Sequence, residues 1–238
     1  MRSLFGNEFG SEARMETIDQ IQGFIFTGGG SSRKGRDKAQ IEVGGKMLYE
    51  RAAHALAEVC DGKIFLAGRN AADLNGKTEL AVNSVPDRRT KSANVPAASI
   101  VGLYSALINA KTEWIAVLAC DLPFVTGDLI GMLGEQRSDY FDAMVPHQVD
   151  AKPRPLSALY HRERCLSVAD DMLLAGEYKL RKFLSRLSTH YVDFDEIASL
   201  DGSIDFFLNV NDHADYLEAR RISALTRSLT PRESAIKG

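Results

Sequence analysis

The run Trp114–Ala119 (WIAVLA) sets six apolar side chains in succession and then stops at Cys120-Asp121-Leu122-Pro123. A strand without polar alternation has to be covered on both faces, and the run is too short for an ordinary helix. It therefore belongs inside a sheet that carries helices on both sides. Similar runs recur at Gln22–Thr27, which glycine stops, at Lys63–Ala67, and at Leu80–Val85, which Pro86 ends. Between them, Lys46–Cys60 places Leu48, Ala52, Ala55, Leu56 and Val59 at offsets of four, seven, eight and eleven, one face of a helix. Ser99–Ala110 and Thr126–Arg137 are predicted as helices, and Asp142–Val145 and Leu156–Tyr160 as further strands.

Strands alternating with helices form βαβ units, and right-handed crossovers put the helices on both faces of the sheet. The expected class is α/β: a three-layer αβα, Rossmann-like fold with a mostly parallel sheet and mixed strands in its C-terminal part, past a break at Lys152–Pro155. A chain of 238 residues that is 45% hydrophobic suits one large domain. That domain is expected over residues 21–228, after an extension over 1–20, in which Met15 is a candidate start, and before a tail over 229–238.

A formal net charge of −3 supplies no general field for nucleic acid. Cys60, Cys120 and Cys165 lie far apart without CxxC spacing, which argues against a disulfide framework or a zinc site and for a reducing cytoplasm. No apolar stretch approaches a signal peptide or a membrane span. The five histidines show no metal-ligand spacing.

Against this background the loop after the first strand stands out. FTGGGSSRKGRDK, residues 26–38, gathers Gly28, Gly29 and Gly30 ahead of Arg33, Lys34, Arg36 and Lys38. Glycines let successive backbone N–H groups approach phosphate oxygens, and Arg33 and Lys38 can neutralise the charge those oxygens carry. A dinucleotide fingerprint from Gly28 would require glycine where Arg33 stands. A P-loop from Gly30 reaches Gly35 but then needs Lys and Ser or Thr, where the chain has Arg36 and Asp37.

The string instead resembles the nucleotidyltransferase motif L-A-G-G-x-S-x-R-M-G-x-D-K, with Gly28, Gly29, Ser31, Arg33, Gly35, Asp37 and Lys38 in register and Phe26, Thr27 and Lys34 as departures. Val85-Pro86-Asp87, Ile100–Leu103, Cys120–Phe124, Arg154–Tyr160 and Phe207–Asn211 match later motifs of one family, with Ala98 and Ser99 in place of its Gly-Pro. Over about residues 22–215 the chain resembles the molybdenum cofactor guanylyltransferases.

That resemblance implies a nucleotidyltransferase fold and a reaction in which the phosphate of molybdopterin attacks the α-phosphorus of GTP and releases pyrophosphate. It implies catalytic roles for Arg33, Lys38 and Asp121. Nucleotide binding falls to Phe26, Thr27, Gly28, Gly29, Gly30, Ser31, Lys38, Gly68, Asp87 and Asp121. Mg²⁺ is the implied cofactor, on Asp121, with Asn211 either completing the metal shell or touching the pterin substrate. GTP and molybdopterin are the implied partners, together with molybdenum-insertion and molybdoenzyme chaperone proteins. Phosphoryl-type transfer needs in-line positioning and charge neutralisation, and a strand-end carboxylate such as Asp121 is suited to hold a divalent ion. Gly28 leans towards guanine.

Blander readings stand beside these. Asp121 is also a good N-cap for the Thr126–Arg137 helix, Asp87 suits any turn, and Arg181, Lys182 and Arg186 read as a solvated helical face. Within enzymes the alternative is a relative that uses CTP or acts on a sugar phosphate. From another class, it is a nucleotide-binding regulatory module without turnover.

Overall fold

In a computed structural model that describes residues 21–27, 38–60, 64–68, 71–74, 80, 82–85 and 98–229, Trp114–Ala119 is a strand buried along its whole length. It is β6 of a sheet with seven strands among the described residues. The others are β1 (Ile21–Phe26), β4 (Ile64–Ala67), β5 (Val82–Ser84), β7 (Ala143–Pro146), β8 (Ser157–His161) and β9 (Thr189–Val192). The short strands β2 (Glu42–Val43) and β3 (Lys46–Met47) pair as a separate antiparallel hairpin. The sheet order is β5-β4-β1-β6-β8-β7-β9, and every pairing is parallel except those of β8.

Alternate residues of the central strands serve opposite faces, as the pleat requires. Ile25, Leu66, Ala116 and Leu118 pack with α1 (Leu48–Ala57) and α3 (Gly127–Glu135). Phe24, Phe26, Ile115 and Val117 pack with α2 (Ser99–Asn109), α4 (Arg162–Leu174) and α5 (Leu180–Leu184). This is the expected three-layer α/β arrangement. Helix α1 lies so close to β1 that a Cβ on Gly23 would stand 3.1 Å from the Leu56 side chain. The short helix α6 (Phe194–Ile197) follows β9, and α7 (His213–Leu229) joins a smaller cluster of Val43, Leu48, Val210 and Ala219 under the hairpin. Among the described residues, no helix is long and apolar enough to cross a membrane.

Gln22, 5% exposed at the start of β1, turns its side-chain carbonyl to accept the backbone N–H groups of Lys111 and Thr112, fixing the turn that feeds β6. The three cysteines are free and buried, and burial pushes the Cys60 thiol up to about 12.

Several boundaries differ from the sequence reading. The helix expected from Lys46 begins at Leu48, because Gly44 and Gly45, at φ 62° and 81°, turn the chain into the hairpin and Lys46-Met47 becomes its second strand. Of the strand expected over Leu80–Val85, Val82–Ser84 form β5 among the described residues. The extension and most of the tail lie outside the described residues.

Leu118 is fully buried on the face that meets α1 and α3. Leu118→Ala should lower the unfolding free energy by about 2–5 kcal/mol in a denaturant titration, through lost burial plus a cavity. A loss under about 1 kcal/mol would mean that this face is not packed as described.

Candidate functional site

From β1 the chain proceeds to β4 and β5 on one side, then returns to β6 on the other, so the edge between β1 and β6 is the switch point where an α/β sheet opens a ligand crevice. Backbone bonds fix this edge. The Cys120 N–H donates to the Phe26 carbonyl at 3.1 Å, and the Thr27 N–H donates to the Ala67 carbonyl at 3.0 Å. The Thr27 hydroxyl donates to that carbonyl as well, at 3.4 Å. Gly68 follows with φ 137°, a backbone conformation that a side chain would strain. Phe26, Thr27 and Gly68 therefore lie side by side at the carboxyl ends of their strands. The Phe26 ring itself turns inward and rests on Gly102, where a Cβ would meet it at 3.4 Å.

Asp121 follows directly on this edge. Its Oδ2 accepts a hydrogen bond from Lys38 Nζ at 2.7 Å, and the same ammonium donates to Asn211 Oδ1 at 2.8 Å. Lys38 begins a one-turn 3₁₀ helix, Lys38–Gln40. Asn211 is brought in by the backbone: the Val210 N–H donates to the Asp121 carbonyl at 2.9 Å, and the Asn211 N–H donates to Asp215 Oδ2 at 2.9 Å. The Lys38 and Asp121 side chains are 18% and 27% exposed, so water reaches the pair and its net contribution to folding is on the order of 1 kcal/mol. Its significance is positional: two oxygen donors from distant segments converge on one cation.

The N-cap reading of Asp121 fails. Thr126 is the N-cap of α3, and the Gly127 N–H is satisfied by Glu58 Oε2 at 3.1 Å. A Cβ on Gly127 would fall 2.3 Å from that oxygen, so glycine lets the two helices meet.

Two arginines frame the site. Arg51 donates from Nε to the Val43 carbonyl at 2.8 Å, from Nη1 to the Pro123 carbonyl at 3.4 Å and from Nη2 to Ser223 Oγ at 3.1 Å. It thereby ties the hairpin and α7 to the segment after Asp121. Arg154, just ahead of β8, donates from Nη2 to the Phe207 carbonyl at 3.2 Å and lies 5.6 Å over the Phe207 ring. Burial pulls its pKa down, while Asp150 and Asp121 push it back up.

Of the residues that the sequence singles out, Lys38, Asp121 and Asn211 are brought into direct contact, and Phe26, Thr27 and Gly68 line the adjoining strand ends. Gly28, Gly29, Gly30, Ser31, Arg33 and Asp87 lie outside the described residues. Asn209 is half-buried beside Val210 and takes no part in the Lys38 contact. The histidines serve packing and turns: His161 faces Glu113 and the Trp114 ring, and His147 stacks on Tyr191. Lys182 and Arg186 pair with Glu177, as a solvated face would. Among the described residues, no group of three or more His, Cys, Asp or Glu side chains could hold a metal ion. Arg51 and Arg154 were not anticipated. The available signal for Arg154 was its place between Pro153 and Pro155, directly before a strand.

Comparison with known proteins agrees with this fold. The MobA-like NTP transferase domain matches residues 23–191. A probable molybdenum cofactor guanylyltransferase of Pelotomaculum thermopropionicum is 30% identical over 88% of this chain and 96% of its own length. One from Bacillus licheniformis is 31% identical over 82% of this chain and 93% of its own. Among solved structures, molybdopterin-guanine dinucleotide biosynthesis protein A from Archaeoglobus fulgidus superposes with a TM-score of 0.69 at 24% identity, covering 86% of this chain and 99% of that one. At that identity the likeness speaks for the fold.

Gly68→Ala should destabilise the chain by about 1–3 kcal/mol in a denaturant titration, because its φ of 137° is strained for any residue with a Cβ. Unchanged stability would show that this strand end relaxes freely.

Proposed function

This chain belongs to the MobA-like NTP transferase family, and from that premise we propose that it transfers GMP from GTP to the phosphate of molybdopterin, forming the guanine dinucleotide and releasing pyrophosphate. The observation that carries the reading is the convergence of Lys38, Asp121 and Asn211 on one point at the β1–β6 switch. An acceptor phosphate oxygen forms a bond to the α-phosphorus, and the bond from that phosphorus to the bridging oxygen breaks. Pyrophosphate leaves with the electron pair. Such a displacement asks the protein for alignment and for positive charge near the phosphate oxygens rather than for covalent chemistry.

The residues divide that work. Lys38 fixes a positive charge beside the strand ends, and the loop from Gly28 to Arg33 follows directly on Thr27 with its own donors and cation. Asp87 and Gly68 are assigned to the nucleotide. Asp121 and Asn211 are the residues that would hold Mg²⁺. Their chemistry fits, since two hard oxygen donors already share a cationic partner and Mg²⁺ takes few protein oxygens when phosphates and water complete its shell. When bound, the ion supplies further neutralisation of triphosphate charge. A cytoplasmic setting is supported by three free, buried cysteines.

The test is direct. With Mg²⁺ and molybdopterin, GTP should yield pyrophosphate and a guanine dinucleotide. Product from CTP alone would overturn the base assignment, and nucleotide binding without pyrophosphate would favour a regulatory module. Asp121→Ala should lower kcat by at least roughly a hundredfold while the melting temperature stays within a few degrees. An unchanged kcat would remove Asp121 from the mechanism.

A further inference from the structure

Arg154 is an arginine whose surroundings do not account for it. A guanidinium carries five N–H donors. Among the described residues this one makes a single hydrogen bond, to the Phe207 carbonyl, and its Nε is buried without a partner. No described carboxylate lies within ion-pair distance: Asp150 and Asp121 act on it only at longer range. Arg154 as a whole is half-buried, but its Nε–H is closed off, and an unmade hydrogen bond at a buried donor costs free energy. Its stack over Phe207 explains where the side chain lies but gives its remaining donors no protein partner among the described residues.

The position of Arg154 indicates what those donors are for. Asp121 ends β6, the middle of three neighbouring strands in the order β1-β6-β8. Lys38, in the segment of chain that follows β1, bonds Asp121 directly. Arg154 stands on the β8 side without touching it, since Ser157 pairs with Leu118 and the Ala119 N–H donates to the Leu156 carbonyl at 2.7 Å, which sets the residues before β8 beside the end of β6. Two cations therefore flank one carboxylate. In-line displacement puts nucleophile and leaving group on opposite sides of the reacting phosphorus. If the first cation serves the triphosphate, the second faces the nucleophile.

We propose that Arg154 binds the phosphomonoester of the incoming acceptor, on the side of Asp121 opposite Lys38; this rests on the reaction proposed above. The planar fork of arginine matches two oxygens of such a phosphate, and the donors without a described partner are the ones that would meet it. Arg154 is thus a binding residue for the second substrate and takes no part in holding GTP.

Equilibrium titrations of molybdopterin and of GTP, each into wild type, Arg154→Gln and Arg154→Lys, test this directly. Gln keeps a donor for the Phe207 carbonyl and loses the charge, whereas Lys keeps the charge and loses the fork. Arg154→Gln should weaken molybdopterin at least tenfold, with Arg154→Lys in between, while GTP affinity stays within twofold. The dephosphorylated pterin should bind wild type and Arg154→Gln alike. Unchanged molybdopterin affinity in Arg154→Gln would overturn the proposal, as would an equal loss for the dephosphorylated pterin or for GTP, since either would mark a packing role. Wild type that binds molybdopterin but forms no dinucleotide would remove the reaction and leave the binding assignment standing. Wild type that does not bind molybdopterin would overturn both.

Discussion

The Lys38 ammonium joins stretches of chain that are remote in sequence, bonding across 83 residues to Asp121 and across 173 to Asn211. Its partners differ in kind, a carboxylate and a neutral amide oxygen, and both accept from the one ammonium. The site is therefore arranged around a cation from the outset. Because the pair is partly open to water, little folding energy is committed to it.

Rigid elements hold this arrangement in place. Asp121 is carried by a fully buried strand, the Phe26 and Cys120 backbones are bonded across the switch point, and Val210 is bonded to the Asp121 carbonyl. Arg51 ties the hairpin and α7 to Pro123, two residues beyond Asp121. Glu58 relieves Asp121 of any duty at the N-terminus of α3. Each bond is modest, but together they leave the carboxylate few alternative positions. Preorganised charge of this kind is what group transfer between phosphates demands.

Much of this was legible in the residues. WIAVLA was assigned as a strand with its bounds intact because a run buried on both faces has no other economical fate. Lys38, Asp121 and Asn211 were each found by motif position. Their mutual contact was not, since nothing in the spacing of residues 38, 121 and 211 announces a shared partner. The β2–β3 hairpin escaped notice because strands of two residues show no periodicity, and helical offsets ran through Lys46 unopposed. The edge strand β9 is half exposed and carries no apolar run, so its residues Thr189–Val192 gave no signal. Arg154 enters the sequence reading only within the break at Lys152–Pro155 and at the head of a motif match, because the surroundings of a single charged side chain depend on the tertiary neighbours that only the fold supplies.

The central claim is that Asp121 and Asn211 form one cation-binding point. Mn²⁺ in place of Mg²⁺, counted by electron paramagnetic resonance in the presence of GTP, addresses it most directly. The account predicts one tightly held ion per chain in the wild type, lost in Asp121→Asn and weakened in Asn211→Ala. Mn²⁺ bound to Asp121→Asn with wild-type affinity and stoichiometry would contradict it.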